Sequence, residues 1–162
     1  MSYSRKMMGL EASEHQMKLI QMGALVKQLN STMCYIKFQL DKIEVSYVYN
    51  INKKGKYFLE RIKPYPLPIK EFQHEDDVIE IIKIDITQFK NACKSRNLNN
   101  FIDISLDLNK SIKMYEDLFL YYNVPKETNE EIKNLIKMIQ QKIINTRDHS
   151  NRIYFEKEPD NL

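Results

Sequence analysis

A mostly α-helical bundle, with a long coiled-coil-like first helix and a single inserted β-hairpin over residues 43–63, is the fold class this sequence predicts. Three observations lead there. Apolar residues recur at alternating three- and four-residue spacing in several separate segments, which is the pattern of one buried helix face. The interval from Val45 to Pro68 breaks that rhythm and carries one of the three glycines and three of the five prolines. The length, 162 residues, suits one domain, and a chain of this size buries roughly 70% of its extended surface without needing disulfides.

The first helix is predicted over residues 12–40, after a flexible N-terminus at 1–11. Its apolar series is Leu19, Met22, Val26, Leu29, Met33, Ile36 and Leu40, the seam of a helix that packs lengthwise on another. Ile20, Leu25, Tyr35 and Phe38 widen the stripe, so the seam serves either a core or the association of two copies.

Two periods compete in the next segment. The helical series extends through Ile43 and Tyr47, whereas Ile43, Val45, Tyr47, Tyr49 and Ile51 also alternate by two. Turn chemistry favours the second, because Gly55 in "NKKGK" stands where a type I turn passes to a left-handed residue between two strands. A proline-rich stretch at 64–72, with "PYPLP" held extended by its prolines, is then expected to cross from the hairpin to the helices.

Residues 75–150 read as three helices. "DDVIEIIKIDI" is rich in β-branched residues, but Ile79, Ile82, Ile86, Phe89 and Cys93 keep helical spacing, and Glu75, Asp76 and Asp77 precede Lys90, Lys94 and Arg96 in the sense the helix dipole favours. A turn at "NLNN", with Asn97 or Asn99 as cap, leads to the series Phe101, Ser105, Leu108, Ile112, Tyr115, Phe119 and Tyr122, which ends at Pro125. Ile132, Ile136, Ile139 and Ile143 form the last stripe, and Thr128 with Glu131 has capping-box spacing. Residues 151–162 are expected to be a polar tail.

The composition excludes several function classes. With Gly9, Gly23 and Gly55 as its glycines, the chain holds no phosphate loop, dinucleotide fingerprint or nucleophile elbow. His15, His74 and His149 have acidic neighbours but not the spacing of a di-iron or zinc site, so no catalytic residue, metal or cofactor is assigned. Cys34 and Cys93 are expected as free thiols. No run of apolar residues reaches a membrane span and the start lacks a secretory pattern, which predicts a cytoplasmic protein. Twenty Ile, 20 Lys and 14 Asn against 3 Ala and 3 Gly reflect AT-rich codons, as in low-GC bacteria and their phages.

Net charge is a mild +3, but it is unevenly placed. Lys53, Lys54, Lys56, Arg61, Lys63 and Lys70 face one acid, Glu60, over residues 53–70, and six acids face one lysine over residues 71–87. With Tyr57 and Tyr65 interleaved, the first interval is a candidate contact surface for a protein or for nucleic acid. The reading preferred from sequence is a non-enzymatic, helical protein-protein interaction or regulatory adaptor, with homodimerisation through the first seam as one possibility. The alternatives are a nucleic-acid-binding accessory protein using residues 53–70, and a small-ligand or enzymatic bundle with a pocket near Tyr115, Tyr121 and Tyr122.

Overall fold

The computed structural model describes residues 31–52 and 56–162. Among these residues an antiparallel sheet precedes three helices, which is an α+β arrangement and overturns the expected helical bundle with one hairpin. The strands are β1 (Ser31–Gln39), β2 (Glu44–Asn52), β3 (Tyr57–Lys63) and β4 (Leu67–Phe72), lying side by side in chain order. The helices are α1 (Glu75–Ala92), α2 (Leu98–Tyr121) and α3 (Lys126–Asp148).

The largest correction falls on the expected first helix. Leu19, Met22, Val26 and Leu29 lie outside the described residues, while Met33 and Ile36 are in β1 and Leu40 follows it. Their helical spacing coincides with a strand alternation that the window also contains. Cys34, Ile36 and Phe38 face the same side as their partners Tyr49, Tyr47 and Val45, and Met33, Tyr35 and Lys37 point the other way. Tyr35 and Phe38, extra residues on a helix, are regular positions on a strand. The chain then reverses at Asp41–Lys42, where the Leu40 amide donates to the Ile43 carbonyl at 2.9 Å, and Phe38 meets Tyr47 edge to face at 6.4 Å between centroids.

The pair β2–β3 is antiparallel and its connection includes residues 53–55, so the turn expected at Gly55 lies outside the described residues. Ser46 pairs with Lys63 and Tyr47 with Arg61, which leaves Ile62 as an extra residue on β3. Such a bulge sharpens the local twist. The proline-rich crossover expected at 64–72 is a turn at 64–66 followed by β4. Pro68 fits within β4 because, among the described residues, β4 pairs with β3 on one side only, so an absent amide donor breaks no second ladder.

The core forms where α1 crosses one face of the sheet. Val45, Tyr47, Leu59 and Phe72 from the strands meet Val78, Ile82, Ile86, Phe89 and Cys93 from the helix side, and Leu98 closes the end. The buried row begins at Val78, not at Ile79, which is 59% exposed. Four-residue steps from Val78 through Ile82 to Ile86 keep these side chains over the sheet. Lys90 stands in the last turn, as the dipole favours. Among the described residues no helix is long and apolar enough to cross a membrane.

Candidate interaction surface

The sheet and α1 form a base fastened by one buried polar cluster. Arg61 is 4% exposed, and its Nη1 donates to both carboxylate oxygens of Asp85 at 2.9 Å. The Tyr47 hydroxyl donates to Asp85 Oδ2 at 2.6 Å. The guanidinium also lies 4.6 Å from the ring centre of Tyr65 and 4.9 Å from that of Phe89, a cation held against two aromatic faces. Burial, with the adjacent Asp85 carboxylate, pushes the Tyr47 phenol above its ordinary range. Tyr65 is raised as well, chiefly by burial. Arg61 Nε is buried without a hydrogen-bond partner among the described residues.

From this base α2 extends outward. Leu98 is buried and Phe101 packs edge to face on Tyr65 at 5.6 Å between centroids. Asn109 Nδ2 donates to the Pro66 carbonyl at 3.3 Å and to the Ser105 carbonyl at 3.0 Å. Residues 98–109 thus anchor α2 to the β3–β4 turn, and the remaining turns carry it beyond the sheet.

The chain turns at 122–125 and returns as α3. At the apex the Tyr115 hydroxyl donates to Asn129 Oδ1 at 3.0 Å, and at the far end Asn91 Nδ2 of α1 donates to the Ile153 carbonyl at 3.2 Å. Two helices of 24 and 23 residues, each about 35 Å long at 1.5 Å per residue, therefore run antiparallel from the base and back. Helix α3 begins at Lys126, with Pro125 at the N-cap position and no side-chain cap bond; the expected Thr128–Glu131 box is not the start, because both residues lie inside the helix.

The apolar stripes of this helix pair are open. Ile104, Leu108, Ile112, Tyr115 and Phe119 on α2, and Leu135, Ile136, Ile139 and Ile143 on α3, are between 40% and 67% exposed. None of the residues of α3 is buried. Nine half-exposed side chains at ~80 Å² apiece present roughly 700 Å² of apolar surface, compared with about 300–600 Å² for the largest patch of a typical monomer. Sequence reasoning found these stripes but assigned them to a bundle core; what it missed is that the sheet takes α1 as its cover, leaving α2 and α3 without a third layer among the described residues.

The basic residues expected to form a contact ribbon have different surroundings. Lys53 and Lys54 lie outside the described residues. Arg61 points into the base, Lys56 pairs with Glu71, and Lys63 shares Glu44 with Lys37 at 3.3 and 2.6 Å respectively. Lys70 lies over the Phe72 ring at 5.3 Å, while Tyr57 and Tyr65 are half-buried. A cleft of about 570 Å³ opens between β4 and α1, floored by Arg61, Tyr65, Phe89 and Phe101 and bordered by residues 157–161. Its charges balance, with Arg61, Lys70 and Lys157 beside Asp85, Glu158 and Asp160, so neither sign of ligand is favoured. Tyr115, Tyr121 and Tyr122 are not among its lining residues and stand exposed toward the outer end of the helix pair. Among the described residues no group of three or more His, Cys, Asp or Glu side chains is placed to hold a metal ion.

Comparison with protein-family models, with curated proteins and with solved structures finds no match for this chain.

Proposed function

We propose that this protein is a non-catalytic interaction or regulatory protein that docks a helical partner on the open face of the α2–α3 pair. The observation that carries this reading is the double apolar stripe, held at half exposure on two long helices, the first of which is fixed to the base by Leu98, Phe101 and Asn109. Water-exposed Ile and Leu in two parallel rows carry an unfavourable hydration free energy that a partner helix would relieve at about 25 cal/mol per Å² buried. Rows at helical spacing present pockets for residues of a helix, as in helix-in-groove recognition. The sheet and α1 act as a mount that sets where the helix pair points.

The test compares proteins captured from the native cell by the wild-type chain and by Ile112→Glu/Ile139→Glu. Both changes lie beyond the anchored part of α2 or on α3, so circular dichroism should stay unchanged. At least one protein should be retained by the wild type and lost by the variant. Identical sets from the two baits would refute the docking reading.

A further inference from the structure

The partner that the open face fits best is a second copy of this chain, and we infer that two α2–α3 pairs close into an antiparallel four-helix bundle. This rests on the reading that the stripe is a docking surface, and it adds the identity of the occupant. Two observations support it.

The first is area. An interface of standard size buries about 800 Å² on each partner, and the roughly 700 Å² of apolar stripe estimated from half-exposed side chains supplies most of that. A small partner segment would leave much of it wet, whereas an equal pair of 35 Å helices covers its whole length.

The second is charge. Helix α2 carries Asp103, Asp107, Glu116 and Asp117 against Lys110 and Lys113, a net of −2, whereas α3 carries Lys126, Lys133, Lys137, Lys142 and Arg147 against Glu127, Glu130, Glu131 and Asp148, a net of +1, with its acids at the two ends and only basic charges over the interval 133–147. A two-fold axis between two helix pairs sets α2 of one copy beside α3 of the other, twice over. One surface thereby provides both halves of its own complement, which is what an isologous interface requires. Around the ring of four helices each α2 then has the basic interval 133–147 of an α3 on both sides, in the arrangement of bundles built from two helical hairpins.

Light scattering after size exclusion, from 1 to 100 µM in round figures, is the measurement. The wild type is expected at twice the 19.4 kDa chain mass. Asp103→Lys/Asp107→Lys reverses the acidic row and Lys133→Glu/Lys137→Glu reverses the basic one; each variant by itself should dissociate at least tenfold more readily than the wild type. Mixed in equal amounts, the two should form a heterodimer, because the basic α2 of one then meets the acidic α3 of the other. Ile112→Glu/Ile139→Glu should be monomeric with its circular dichroism retained.

A wild-type monomer across the range overturns the second-copy inference, whether the stripe is left open or covered within the chain. So does a dimer that persists in all three variants, since its interface would lie elsewhere. Either result leaves the docking reading to stand or fall on the capture comparison, where loss of a different protein by the Glu variant would retain a docking face with another occupant.

Discussion

Replacing Asp85 by alanine isolates the interaction on which the base depends. The Arg61 and Asp85 side chains are 5% and 17% exposed, so the pair is largely withdrawn from solvent. Removing one member of a buried pair costs about 3–5 kcal/mol, mostly because the remaining charge is left without a partner. Arg61 already carries one unpartnered nitrogen among the described residues, and Asp85→Ala would remove both carboxylate contacts of Nη1 and the acceptor of the Tyr47 hydroxyl as well. For an unfolding slope of about 2 kcal/mol per molar urea, the midpoint should fall by about 1.5–2.5 M. Equilibrium urea unfolding followed by circular dichroism measures this. Arg61→Met/Asp85→Leu supplies the contrast, since exchanging a buried pair for apolar residues of similar volume is often neutral or stabilising. The double variant should therefore recover most of what Asp85→Ala loses. A loss below about 1 kcal/mol for Asp85→Ala, within the range of an exposed pair, would refute the reasoning, as would a double variant no better than the single.

Two further outcomes follow from the same packing. Tyr47 and Tyr65 should remain protonated at pH values where exposed tyrosines ionise, about 10, because burial raises both phenols. The stability that neutral Tyr47 contributes is fully present below that value and is lost as pH rises through its higher folded-state value. Phenolate absorbance should therefore show late-titrating groups that join the rest on unfolding in urea, and uniform titration of all ten tyrosines in the folded chain would count against the buried cluster. The phase of α1 is checked by thermal unfolding of Val78→Ala, expected to cost about 2 kcal/mol, beside Ile79→Ala, expected to stay within about 0.5 kcal/mol; the reverse order would mean that the helix is rotated by one residue.

Local signals carried much of this architecture. Spacing marked α1 as a helix despite its β-branched residues, and the stripes of α2 and α3 are visible as periodic isoleucine and leucine. Alternation and turn chemistry pointed to paired strands around residues 43–63. Where two periods overlapped, as at Met33, Ile36 and Leu40, the window held no information to choose between them, because the choice rests on Val45, Tyr47 and Tyr49 across the β1–β2 turn. Strand pairing is stabilised by residues distant in sequence, so it is settled only when the chain is assembled.

The same division holds for function. The sequence by itself determined that long amphipathic helices exist and that glycine-dependent phosphate and nucleotide motifs are absent. The tertiary structure decided which apolar faces are used up. It spent Arg61, which reads as a surface cation, on Asp85 and two aromatic rings, and among the described residues it gave the sheet a single helical cover. A side chain's availability depends on what lies above it in space, and for α2 and α3 the described residues place nothing over the stripes that periodicity alone would have buried.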